Sequence, residues 1–349
     1  MVSSYIIFGA FCMASIIYKL KIQILEKKVT FTKMDSINIK GIAALCIMLS
    51  HYALWIESYF HIKLPPIFLL VKQLGGIGVL IFFFLSGYGI YMSSNEKTNL
   101  MWLIKRVGKV YFPYLFMKLI IVFINYCLIG RDKFILKNIC KEITGIDFSD
   151  WFIWVIILQY IIYWISCCIC SHKRLIVDFF LNLILMSVFI IMKLPSRWYN
   201  GLLLFWFGCL MAKYQKKVIA LLGEYYYLKI LLFLVVFLSL SIFYIFFNGG
   251  VLAECFKLLS GMVLGIILMA IFMRLSVYSP ALDWIGNRSL FIYIIHINLW
   301  GIICHAVDNV ILVLPLAISM AFLLTAICYT GYGFFSKICR RKKRTICRN

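Results

Sequence analysis

Acidic residues are scarce in this chain. It has 13 Asp and Glu among 349 residues, and charged residues of both signs make up only 14%. With 64% of its residues apolar, a soluble protein of this composition would expose patches too large to stay in solution. Several other features are missing, and each absence excludes a class. The cluster Cys167-Cys168-Ile-Cys170-Ser-His172 has no second paired cluster elsewhere, so no metal site is expected there. Most of the 13 cysteines lie inside apolar segments, where cysteine behaves as a small hydrophobe, and this argues against a disulfide framework. No polar stretch is long enough for a soluble basic domain, so the 35 Lys and Arg do not mark a nucleic-acid binder. The apolar first 20 residues have no charged segment before them and no clean cleavage site after them, so a removed signal peptide is not expected. There is no internal repeat and no low-complexity segment.

What the chain does have is a succession of apolar segments, each long enough to cross about 30 Å of hydrocarbon, with a mean hydropathy of +0.99. The expected fold is all-α: a polytopic integral membrane protein with 10–11 transmembrane helices in one bundle. Spans are drawn at 4–20, 38–57, 75–93, 110–130, 151–170, 175–192, 199–212, 229–248, 258–273, 289–306 and 312–336. This divides the chain into an extra N-terminal helix with a basic connector (1–34), a transmembrane domain (35–336) and a basic tail (337–349). Of the 35 Lys and Arg, 25 fall in loops 19–40, 97–109, 173–174, 213–229 and 274–288 and in the tail. That bias predicts these loops and the C-terminus in the cytoplasm. Loop 131–150, with Asp132, Glu142, Asp147 and Asp150, then faces outside, where it could touch an external substrate.

The residues able to carry chemistry begin with Lys40 and His51, eleven positions apart in Lys40-Gly-Ile-Ala-Ala-Leu-Cys-Ile-Met-Leu-Ser-His51. Eleven helical residues turn through about 1100°, roughly three full turns, and rise about 16 Å. Both side chains therefore share a face, with Lys40 at the membrane surface and His51 about half a bilayer deeper. Taken alone, Lys40 is a snorkelling boundary residue and His51 a buried histidine bonded to a neighbouring helix. Their alignment favours a functional reading: a deep neutral imidazole can take a proton from a hydroxyl. Ala44 and Ile47 lie between them on the same stripe, which suggests room for a long acyl carrier.

A second segment, Gly75-Gly-Ile-Gly78-Val-Leu-Ile-Phe-Phe-Phe-Leu-Ser86-Gly87-Tyr88, resembles a dinucleotide fingerprint only superficially, because no strand precedes it. Its small residues fit close helix contact, and the Ser86 hydroxyl either serves a ligand or bonds its own backbone. The third, Lys105-Arg106-Val-Gly-Lys109-Val-Tyr111-Phe-Pro113-Tyr114, puts Arg106 and Lys109 on one helix face. They mark topology or hold a multiply charged phosphate ligand. Of the remaining charges in or near spans, Lys118 falls inside one and Asp178 is explained by an interfacial position.

The order of motifs resembles the acyltransferase family 3 membrane proteins, which O-acylate carbohydrates. Members carry Arg, ten residues and His on the first core span, a Gly-Val…Phe-Phe…Leu-Ser-Gly-Phe/Tyr span, an Arg-x-x-Arg-Ile…Pro segment, a Trp-rich span and a late Ser…Tyr…His helix. This chain offers Lys40…His51, Gly78-Val79…Leu85-Ser86-Gly87-Tyr88, Arg106-Val-Gly-Lys109-Val110…Pro113, Trp151-Phe-Ile-Trp154 and Ser289-Leu-Phe-Ile-Tyr293-Ile-Ile-His296. The resemblance covers about residues 35–335. Lysine stands in place of the family's arginine at 40 and 109, keeping the charge but losing the planar fork. The hydrolase-like domain that some members carry at the C-terminus is not expected.

The resemblance implies a membrane O-acyltransferase that moves an acyl group, acetyl above all, from cytoplasmic acyl-CoA to a hydroxyl of a cell-surface polysaccharide or its lipid-linked precursor. His51 and His296 are then the catalytic candidates, with His296 facing His51 across the bundle or else structural. Lys40, Arg106, Lys109 and Ser86 are the candidates for holding acetyl-CoA, which acts as co-substrate, and no permanently bound cofactor or metal is called for. The partners are acyl-CoA, a carbohydrate acceptor and the lipid bilayer. The oligomeric state, a homo-oligomer included, stays open. The competing readings are a transporter or flippase and a non-catalytic partner in surface-glycan export.

Overall fold

The structure is a computed structural model that describes residues 17, 20–24, 31–61, 63, 65, 67–94, 98–129, 150–247, 249–307 and 309–346. The expected span 4–20 and the body of loop 131–150 lie outside the described residues.

Twelve α-helices account for nearly all of what is described. They are α1 (Lys33–Phe60), α2 (Ile67–Met92), α3 (Leu100–Ile129), α4 (Trp151–Ile169), α5 (Arg174–Ile191), α6 (Leu202–Lys213), α7 (Gln215–Gly223), α8 (Tyr226–Phe247), α9 (Gly250–Arg274), α10 (Pro280–Asn287), α11 (Ser289–Ala306) and α12 (Val310–Ile346). Two short strands, β1 (Lys21–Ile24) and β2 (Leu275–Tyr278), pair antiparallel, with Lys21 opposite Tyr278. Seven helices are long and apolar enough to cross a membrane, and the α10–α11 pair, bent by 74°, brings the number to eight. The all-α polytopic membrane fold expected from the apolar segments is therefore present.

Two expected spans take a different form. The one drawn at 110–130 belongs to α3, which is 30 residues long and carries Lys105, Arg106, Lys109 and Lys118. The one drawn at 199–212 is a helix of only 12 residues, about 18 Å long and too short to cross alone.

The helices begin where local chemistry allows. Thr32 caps α1 reciprocally with Asp35: the Asp35 amide donates to Thr32 Oγ1 at 3.3 Å and the Thr32 amide donates to Asp35 Oδ2 at 2.8 Å. This satisfies donors that have no partner in the first helical turn. Helix α8 shows the opposite extreme. None of its most apolar window is buried, and Leu231, Leu232, Val235 and Leu238 are exposed. In water such a face would aggregate; in hydrocarbon it needs no partner, because the helix satisfies its own backbone.

The core lies in two packed regions. One gathers Ile47, Met48 and Tyr52 of α1, Tyr114 and Met117 of α3, and the buried faces of α11 and α12. The other gathers Phe83, Phe84 and Leu85 of α2 with Val155 of α4, Leu204 and Phe205 of α6, and Met269 of α9.

The contact that positions the first region is between α1 and α10. A Cβ at Gly41 would sit 2.6 Å from the Leu282 carbonyl oxygen, and one at Gly286 would overlap the Ile37 carbonyl. Only glycine lets these backbones approach so closely. Asn38 reinforces the junction by donating to the Val277 carbonyl at 2.6 Å. Helix α10 is thus fixed against the first turns of α1, and α11 leaves it at a sharp angle that carries it along the deeper part of α1.

Candidate active site

The deep part of α1 meets α11 at two histidines. His51 Nδ1 lies 2.9 Å from His296 Nε2, and His296 Nδ1 lies 2.7 Å from the carbonyl oxygen of Ile292. A carbonyl only accepts, so His296 carries its proton on Nδ1 and its Nε2 is the acceptor. His51 must then donate from Nδ1, which leaves its Nε2 lone pair without a protein partner among the described residues. The chain of bonds fixes both tautomers and points one basic nitrogen away from the pair.

Aromatic rings close around them. Trp55 stacks on His51 with centroids 5.2 Å apart, Tyr293 meets His296 at 5.9 Å, and Trp300 stacks on Tyr52 at 5.1 Å. His296 is 1% exposed, whereas His51 is half-buried, so the more accessible ring is the one with the free nitrogen.

The other end of the stripe is cationic. Lys40 is half-buried and lies close enough to Arg106 of α3 and to Lys33 to feel both charges. Arg106 also acts on the Tyr160 hydroxyl of α4, and Ser86 of α2 lies beside that hydroxyl. Lys40, Arg106, Ser86 and Tyr160 therefore converge from four helices on one basic mouth. Lys109 does not join them: it is exposed on α3, and the charges felt by Lys40 are those of Arg106 and Lys33.

Three expectations change in detail. Ala44 and Ile47 do not border open space, because both are buried and a Cβ at Gly78 would already be 2.7 Å from Ile47 Cγ1. Helix α2 occupies that side of the stripe. Asp178 is not interfacial: it is 0% exposed, and neither carboxylate oxygen has a hydrogen-bond partner among the described residues. Asp150, assigned to an outer loop, is 2% exposed and paired with Lys118 at 2.6 Å.

Sequence reasoning gave no role to Tyr52, Trp55, Trp300 and Tyr160, and met Tyr293 only as part of the Ser…Tyr…His motif. Trp55, Tyr293 and Trp300 follow from helical spacing, since Trp55 is one turn from His51 and Tyr293 and Trp300 flank His296 by one turn each; Tyr52 is the chain neighbour of His51. Tyr160 has no such signal, because its partners lie on other helices.

The fold and this site define a membrane-embedded helical enzyme, with a paired histidine deep in the bundle and a basic mouth at one end of the same helix. The chain belongs to acyltransferase family 3: the family model for the acyltransferase domain matches residues 35–332. It is a multi-pass membrane acyltransferase. Comparison with curated proteins gives no match, and comparison with solved structures gives none either.

Proposed function

We propose that this acyltransferase moves an acetyl group from acetyl-CoA, entering from the cytoplasm, to a hydroxyl of a cell-surface polysaccharide or its lipid-linked precursor. The observation that carries this reading is the arrangement of α1. A tautomer-fixed histidine with its Nε2 free stands about 16 Å along the same helix from a mouth where Lys40 lies within electrostatic reach of Arg106. Phosphates of the donor are held at the mouth. The pantetheine arm reaches from the mouth towards His51.

At His51 the acceptor hydroxyl gives its proton to Nε2 as its oxygen attacks the thioester carbonyl carbon. The C–S bond breaks, the ester remains on the sugar, and the CoA thiolate takes the proton back from the imidazolium. The proton that starts on the hydroxyl ends on the thiol. His296, still bonded to Nδ1, steadies the imidazolium while it exists.

His51→Ala tests the reading. The variant inserts and accumulates like the wild type, while acetylation of the glycan, read by mass spectrometry, falls by about 10²–10⁴. Wild-type acetylation by a well-folded His51→Ala protein removes the catalytic role.

A further inference from the structure

Beyond Arg106 the basic mouth continues in a line of alternating cations and rings. The Arg106 guanidinium lies 5.7 Å from the Trp102 ring. Trp102 lies 6.1 Å from the Tyr163 ring of α4, and Tyr163 is 6.0 Å from the guanidinium of Arg174 at the start of α5. Arg174 in turn sits 4.5 Å over Tyr91, while Ser94 bonds the Tyr163 hydroxyl at 2.7 Å. Cationic points thus stand at both ends of an aromatic row in which Trp102 is partly exposed and Tyr163 is buried.

The far end is short of acceptors. Arg174 Nη1, Trp102 Nε1 and Thr98 Oγ1 are buried atoms with no hydrogen-bond partner among the described residues. Neither Arg106 nor Arg174 takes part in a salt bridge among the described residues. Asp178, one turn along α5, leaves both its oxygens unbonded and so does not neutralise Arg174. Helix α5 adds to the excess: Lys173 caps it without a side-chain bond, and its first turn holds no acid. Two cations therefore stand at the positive end of a helix dipole, an arrangement that an anion relieves. Buried donors without acceptors carry a desolvation cost that a ligand's oxygens remove.

We infer that Arg174 binds the ribose 3′-phosphate of coenzyme A, with the adenine lying against the partly exposed Trp102 ring, which the buried Tyr163 backs, and the diphosphate at Lys40 and Arg106. This rests on the acyl-CoA reading above. The match is one of order: coenzyme A carries a diphosphate beside its pantetheine arm, then a nucleoside, then a separate phosphate, and the mouth presents cation, rings, cation in the same sequence. Arginine suits the terminal position because its fork takes phosphate oxygens in pairs and its flat face stacks on a ring at the same time.

The test is binding of CoA and of 3′-dephospho-CoA to the detergent-solubilised full chain. For the wild type, Kd for CoA is expected to be at least about tenfold lower than for 3′-dephospho-CoA, the scale of one charge-assisted contact. Arg174→Gln should weaken CoA by about the same factor and leave 3′-dephospho-CoA unchanged. Equal wild-type affinity for the two ligands overturns the subsite while leaving the acyl-CoA reading intact, and it decides the matter even if the variant does not fold. Equal weakening of both ligands by Arg174→Gln also overturns it. Binding of neither ligand removes the acyl-CoA reading itself.

Discussion

The Lys118–Asp150 pair offers a quantitative probe of how the bundle tolerates charge. Lys118 sits in the middle of α3 and Asp150 immediately before α4; their side chains are 4% and 2% exposed and separated by 2.6 Å. The Tyr114 hydroxyl also donates to Asp150 Oδ2 at 3.1 Å. At an effective dielectric of about 20 the gross attraction is about 6 kcal/mol, most of it offset by the cost of taking both ions out of water. Removing one partner leaves that cost with less to offset it. Lys118→Met and Asp150→Asn should each destabilise the protein by about 3 kcal/mol, near the lower end of the range for breaking a buried pair because Tyr114 still serves the carboxylate. The double variant removes both charges, so it should lose much less than the two single losses combined, with a coupling energy above about 1 kcal/mol. Thermal unfolding in detergent, followed by tryptophan fluorescence, measures all four corners of the cycle. Strictly additive losses would refute the reasoning, since they would mean that the two charges do not act on each other.

Two further outcomes follow from the site and its anchor. His296→Asn keeps a side-chain acceptor opposite His51 Nδ1 and should retain more turnover than His296→Ala, in which the His51 tautomer is no longer fixed; kcat, with KM for the donor unchanged, is the quantity to compare. Gly41→Ala places a methyl 2.6 Å from the Leu282 carbonyl, so α10 must retreat from α1, and glycan acetylation should fall together with thermal stability. Normal acetylation at normal stability would show that the junction yields freely.

The helical path through the membrane was legible because apolar length alone determines it. The Lys40–His51 alignment was legible because both residues sit on one helix, where 3.6 residues per turn ties spacing to direction. What depended on a second helix was not legible. The stripe at Ala44 and Ile47 suggested room because a sequence shows the size of a side chain but not its neighbour, and α2 fills that side at Gly78. The partner of His51 stayed open for the same reason, since it is settled by Gly41 and Gly286 bringing α10 against α1. Asp150 was assigned to a loop because acidic residues between spans usually face water; here a lysine in the preceding helix pairs with it in the interior. Arg174 was counted as one of two basic residues in a short turn, and its packing on the rings of Tyr91 and Tyr163, which lie on other helices, could not be read from spacing.

The histidine pair joins residues 245 positions apart in the chain, and this has a consequence for synthesis. At about 5–20 residues per second, His51 enters the membrane roughly 12–50 s before His296 has been made. During that interval the imidazole has neither its partner nor a settled proton position. A chain cut short before α11 would carry every group of the basic mouth and an unoriented base. The histidine pair is therefore completed by one of the last helices to be inserted, and on the proposed mechanism a truncated or stalled product would lack an oriented base.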